Sequence, residues 1–148
     1  MSDLRELYQE VIFDHNRNPR NFGRPARYDR VSEGHNPLCG DRLTLYIAFD
    51  AAGLVEKASF EGQGCAISTA SASLMTEALK GKTEAEAEVM FQNFHGLIMG
   101  TSDVDPAVLG KLQVLTGVKE FPARVKCATL AWHTLQAALH GEQQVSTE

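Results

Sequence analysis

Between residues 61 and 68 the chain reads Glu61-Gly62-Gln63-Gly64-Cys65-Ala66-Ile67-Ser68. An alternating, β-type run leads into this stretch and a helical run leaves it. A chain that passes from strand to helix through two glycines turns sharply there, and its backbone can approach a neighbour closely. Cys65 then falls near the start of a helix, where free N–H groups and the positive end of the dipole favour a thiolate over a thiol. A thiolate at such a corner serves as a nucleophile or as a metal ligand. The residues that converge on it decide which.

Upstream, Leu43, Leu45, Ile47 and Phe49 alternate with Arg42, Thr44, Tyr46 and Ala48, which predicts a strand over 42–49. Asp50-Ala51-Ala52-Gly53 reads as a hairpin loop, and Leu54 to Phe60 as the return strand. Glu56 interrupts the apolar face of that strand and marks an end near solvent. The hairpin brings the end of the second strand back beside the start of the first. Cys65 and the loop before Arg42 therefore meet at one end of the sheet. That loop, Gly34-His35-Asn36-Pro37-Leu38-Cys39-Gly40-Asp41, is punctuated by Pro37 and Gly40. In an extended loop, side chains two apart point the same way, so Cys39 and Asp41 can both reach one ion. Tyr28 to Ser32 is expected as a short edge strand.

The remainder reads as helical. Residues 3–15 carry Leu4, Leu7, Tyr8, Val11 and Ile12 at helical spacing, and the helix must stop by Asn18-Pro19. Asn16 to Pro25 is an irregular loop with solvated arginines. Ala66 to Lys80 forms the helix leaving the corner, its early serines either capping it or donating to the cysteine sulfur. Gly81 ends it, and Thr83 with Glu86 has the spacing of a capping box for a helix to about Met99. His95 on that helix reads as structural, and Asp103 and Asp105 before Pro106 as capping residues rather than metal ligands. A short helix to Leu115 and a turn at Gly117 follow. Phe121 to Cys127 opens the last helix, with Cys127 in or beside its first turn and Arg124 and Lys126 close by. The tail 141–148 is polar and expected to fray.

A chain of 148 residues is most simply a single domain. Its net charge of −5 argues against binding to nucleic-acid phosphates. There is no run long enough for a membrane span and no charged-then-apolar leader, so no membrane partner is expected and the cytoplasm is the expected compartment. Three cysteines, Cys39, Cys65 and Cys127, are odd in number, far apart and without a C-x-x-C pair, which makes a disulfide framework a poor reading. The plain alternative is three buried small hydrophobes. Each, however, falls at a turn or a helix start. With Asp41 they make a four-ligand set suited to tetrahedral zinc or to an iron–sulfur cluster. A Cys–His hydrolase built on Cys65 lacks a distinguished base among His15, His35, His95, His133 and His140.

Three motifs carry a resemblance over nearly the whole chain. Asn36-Pro37-Leu38-Cys39-Gly40-Asp41, Gly62-Gln63-Gly64-Cys65-Ala66-Ile67-Ser68 with Ala70-Ser71-Ala72-Ser73, and Arg124-Val125-Lys126-Cys127-Ala128-Thr129-Leu130-Ala131-Trp132 resemble, in order and spacing, those of the U-type iron–sulfur cluster assembly family (IscU/NifU N-terminal-like). The likeness implies an α+β fold, a small, mainly antiparallel three-stranded sheet with helices packed on one side. It implies a metal held by Cys39, Asp41, Cys65 and Cys127. The implied partners are a pyridoxal-phosphate (PLP-dependent, SufS-like) cysteine desulfurase and the downstream iron–sulfur assembly machinery. The scaffold, IscU-like branch carries a histidine immediately before the third cysteine, where this chain has Lys126, and lacks most of the segment at about 81–122. The sequence is similar to the SufU-like branch of zinc-dependent sulfur acceptors, which has that helical insertion and the Arg-x-Lys-Cys arrangement.

On this likeness, zinc keeps the thiols deprotonated, the docked desulfurase supplies a histidine to the metal, and Cys39 is freed to attack the outer sulfur of the enzyme-bound persulfide. Arg124 is expected to orient the partner or Asp41. Two rival readings stand beside it: a scaffold on which a [2Fe–2S] cluster is assembled, and a zinc-stabilised interaction module without sulfur chemistry.

Overall fold

The computed structural model describes residues 2–37, 40–101, 106–120, 122–142 and 144–146. In chain order come helix α1 (Ser2–Arg17), strands β1 (Arg30–Asn36), β2 (Asp41–Phe49) and β3 (Val55–Gln63), helices α2 (Ala66–Leu79) and α3 (Glu84–Met99), a 3-10 segment (Pro106–Glu120), helix α4 (Pro122–Leu139) and strand β4 (Gln144–Ser146). The α+β class is as expected.

The sheet differs in one respect. It has four strands in the order β3-β2-β1-β4 rather than three. The first three pair antiparallel, and β4 pairs parallel with β1 through Glu33↔Gln144, Gly34↔Val145 and His35↔Ser146. The tail expected to fray thus supplies an edge strand. The free edge of β1 offers unpaired N–H and C=O groups, and the chain leaving α4 satisfies them. Strand β1 also starts and ends later than the expected 28–32, because it follows β2 in register from Arg30↔Ile47 to Asn36↔Asp41. Gly34 is tolerated inside it for a packing reason: a Cβ there would run into the Thr134 hydroxyl of α4.

Helices α2 and α4 pack against the sheet, and Leu45, Ile47, Met75, Leu79, Phe94, Leu130, Trp132 and Leu135 form the centre of the core. Trp132 stacks on Phe94 with centroids 4.3 Å apart. Ser71 and Ser73 of α2 are fully buried, and each ties α2 to another element. Ser71 Oγ donates to the Ala128 carbonyl at 2.6 Å and accepts from Trp132 Nε1 at 3.1 Å, tying α2 to α4. Ser73 Oγ accepts from the Arg20 N–H at 2.8 Å and lies 2.7 Å from Nδ1 of buried His15, tying α1 and its following loop to α2.

The capping box forms as expected, with Thr83 Oγ1 accepting from Glu86 N–H at 3.1 Å and Glu86 Oε1 accepting from Thr83 N–H at 3.0 Å. The region expected to hold a short helix ending at Leu115 is instead a 3-10 segment that continues through Gly117 to Glu120. It is broken only at Gly110 (φ 57°, ψ −128°). The capping roles expected of Asp103 and Asp105 fall outside the described residues. Among those described, no helix is long and apolar enough to cross a membrane.

Candidate metal centre

The β2–β3 hairpin forms as expected, but β3 runs on past Phe60 to Gln63, and the pairing Arg42↔Gln63 brings the chain into α2 beside the first residue of β2. Asp41 is that residue, and it is fully buried. Gly62 sits at φ 142°, and a Cβ on it would run into the Arg42 carbonyl. At Gly64 the constraint is steric: a Cβ would lie 2.8 Å from Asp41 Oδ1. Both glycines therefore allow the close backbone approach that the sequence required.

Cys65 is the N-cap of α2. Its backbone is extended (φ −72°, ψ 171°) and its Sγ accepts from the Ser68 N–H at 3.4 Å. The serines were expected to cap the helix or to donate through their side chains; the cap is the cysteine itself. Its own N–H donates to Asp41 Oδ1 at 2.9 Å.

Cys127 arrives from the opposite element. It is the sixth residue of α4, which begins at Pro122, and so it lies just past the first turn. The dipole effect expected at a first turn fades within that turn, so Cys127 owes its environment to burial. Its Sγ lies 3.7 Å from the Ala123 carbonyl.

The ligand atoms of Asp41, Cys65 and Cys127 all lie within 4.8 Å of one another. Two sulfurs and one carboxylate oxygen suit zinc, whose donors stand roughly 3.8 Å apart around a tetrahedral centre with Zn–S near about 2.3 Å. Three donors leave one position for a fourth. Cys39 lies outside the described residues. Arg124 and Lys126 are exposed, and among the described residues Arg124 makes no ion pair or hydrogen bond to Asp41.

Among the described residues, no histidine joins the cluster. His15 is engaged by Ser73 and lies 3.7 Å from Glu77, and its pKa is held below the usual range by burial and then by Arg20. His95 and His133 pack edge to face beside Phe91, and burial, then His95, lowers the pKa of His133. His140 pairs with Glu88 at 3.3 Å.

Sequence reasoning gave no role to Asn36. The last residue of β1, it is 1% exposed, with Nδ2 3.5 Å from Asp41 Oδ2 and 4.0 Å from Cys127 Sγ. An asparagine before a proline reads as a turn residue. Its place in the first motif was the available signal.

The family model for the NifU-like N-terminal domain matches residues 7–128. The chain is 44% identical over 142 residues to the zinc-dependent sulfurtransferase SufU of Bacillus subtilis, covering 96% of this chain and 95% of that protein. It is 39% identical over 139 residues to the iron–sulfur cluster assembly scaffold protein IscU of Streptococcus pyogenes, covering 94% and 86%. Its fold superposes with a TM-score of 0.83 on a crystal structure described as an iron–sulfur cluster assembly scaffold protein for the SUF system of Fervidobacterium islandicum. That pair is 41% identical, covering 88% of this chain and 94% of the other. With a family match across most of its length and relatives this similar over nearly all of both sequences, the chain belongs to the NifU-like N-terminal-domain family of iron–sulfur cluster assembly.

Proposed function

We propose that this protein is a zinc-holding sulfur acceptor, taking persulfide sulfur from a PLP-dependent cysteine desulfurase for iron–sulfur cluster biogenesis. The observation that carries the reading is the three-donor cluster of Asp41, Cys65 and Cys127. The name of the Bacillus subtilis relative supports zinc and sulfur transfer. Cys39 completes the ligand set on this reading, and the segment 81–122 is the insertion of the SufU-like branch. Bound zinc would hold the sulfurs as thiolates and shield them from oxidation.

The chain's own residues divide the remaining work. Asp41 is fixed by the Cys65 N–H, and Cys65 is engaged as a helix cap. Cys127 is fully buried. That leaves Cys39, between Pro37 and Gly40, as the nucleophile. Its thiolate attacks the outer sulfur of the desulfurase persulfide. A new S–S bond forms to Cys39, the old one breaks, and the desulfurase cysteine departs as a thiolate. Arg124, exposed on α4, is available to orient the docked partner.

A second reading, a scaffold for a [2Fe–2S] cluster, is favoured by the names of the Streptococcus pyogenes and Thermotoga maritima relatives. Metal analysis of the purified protein, paired with desulfurase turnover, separates the two. One tightly bound zinc and faster turnover on adding the protein support the acceptor. Iron with acid-labile sulfide and unchanged turnover support the scaffold.

A further inference from the structure

We infer that Asn36 is a positioning residue of the metal centre, an amide clamp that holds Asp41 and Cys127 as resident ligands. The inference rests on the zinc reading above. Asn36 Nδ2 stands within reach of two acceptors, the Asp41 carboxylate and the Cys127 sulfur, which arrive from different elements. At 3.5 and 4.0 Å it is a donor shared between them rather than committed to either.

The other end of the same amide makes the case. Asn36 Oδ1 is buried and, among the described residues, has no hydrogen-bond partner. Leaving such an acceptor unpaired is unfavourable. Turning the amide over would aim this carbonyl at a carboxylate and a sulfur, three electron-rich groups together. The amide orientation is therefore set by the two ligands, at the expense of Oδ1. An apolar residue of the same size would fill the space without that cost, so packing alone does not account for an asparagine here.

An N–H donated to a ligating carboxylate fixes its rotamer, and one donated to a sulfur favours the thiolate, the form that binds metal, and lowers its nucleophilicity. Asn36 thus biases which donors stay when a ligand must leave. It also carries this effect from β1, since it is the last strand residue before the Cys39 loop.

The test compares wild type with Asn36→Leu, which keeps the volume and removes the amide, and Asn36→Ser, which is smaller but keeps a donor. Zinc affinity is measured by chelator competition. The absorption of the cobalt-substituted protein and the melting temperature of the metal-free protein are recorded beside it. The expected result for Asn36→Leu is a loss of zinc affinity of about 10–100-fold and a shifted cobalt spectrum, with the metal-free melting temperature unchanged or raised. Asn36→Ser should recover part of the affinity. Zinc affinity of Asn36→Leu within twofold of wild type overturns the inference and leaves the zinc reading standing. So does a loss of affinity in both variants that merely follows a loss of metal-free stability. Wild type that binds no zinc overturns both.

Discussion

The backbone N–H of Cys65 donates to Asp41 Oδ1 at 2.9 Å, so the first peptide of one helix holds the carboxylate that lies beside its own thiol. One hydrogen bond therefore couples the strand–helix corner to the start of β2. Two donor groups 24 residues apart in sequence are fixed by a single local geometry.

That coupling makes Gly64 sensitive. A methyl group at Gly64 would sit 2.8 Å from Asp41 Oδ1 and 3.2 Å from its Cγ, tighter than real contacts allow. The carboxylate cannot retreat freely, because Asp41 is fully buried and bonded on both sides. Gly64→Ala is expected to weaken zinc binding by at least about tenfold, the effect typical of disturbing a ligand's support. It should also cost about 1–3 kcal/mol of metal-free stability, the range for overpacking a filled site. Chelator competition and urea denaturation measure the two. Wild-type zinc affinity in Gly64→Ala would show that Asp41 tolerates displacement or does not ligate.

Removal of Cys39 tests the division of labour among the thiols. Cys65 is engaged at the helix cap and Cys127 is buried, so neither should replace Cys39 as the attacking group. Cys39→Ala is expected to abolish persulfide transfer from the desulfurase, detected by mass spectrometry as loss of the 32-Da increment of about one sulfur. Three ligand atoms remain, so zinc binding should weaken without vanishing. Persistent sulfur transfer would move the nucleophile to Cys65.

How far the site was legible follows from what decides each part of it. The alternation of Leu43, Leu45, Ile47 and Phe49 set strand β2, and the hairpin then put Gln63 opposite Arg42. That register alone brings Cys65 to Asp41. Gln144-Val145-Ser146 has no such pattern; its pairing depends on the free edge of β1, which no local signal reveals. Pro122 and the helical spacing after it marked the opening of α4, which put Cys127 in or beside the first turn; it lies just past it. Asn36 stood only as one residue of the loop before Asp41, because its role comes from neighbours on β2 and α4.

Ser71 links the two helices that bear cysteines. Its hydroxyl donates to the Ala128 carbonyl, adjacent to Cys127, and accepts from Trp132 in the core. Ser71→Ala leaves the Trp132 N–H buried without that acceptor. Such a group costs about 1–3 kcal/mol. A loss of that size in urea denaturation is expected. A smaller fall in zinc affinity should accompany it, as α4 loosens against α2. Stability within a few tenths of a kcal/mol of wild type would mean that Trp132 finds another acceptor at no cost.

Buried His15 and half-buried His133 predict a pH dependence with a defined sign. Burial, then Arg20, depresses the pKa of His15, while Glu77 and Asp14 oppose that shift and Lys111 adds to it. Burial, then His95, depresses that of His133, which packs beside Phe91. Both therefore resist protonation in the folded state. Above the ordinary histidine value of about 6.5, folded and unfolded chains are equally neutral at these positions and neither contributes. Below it the unfolded chain takes up protons that the folded chain refuses, so stability falls as pH drops towards the depressed folded values. Asp14, Asp29 and Glu86, whose carboxyls are stabilised as anions by Arg20, by the Phe49 N–H and by the Thr83 N–H respectively, act only in a lower, acidic window. Melting temperatures from pH 7 to 5 should therefore decline, and His133→Gln should flatten part of that slope relative to wild type. An unchanged slope in both His133→Gln and His15→Gln would assign the decline to other groups.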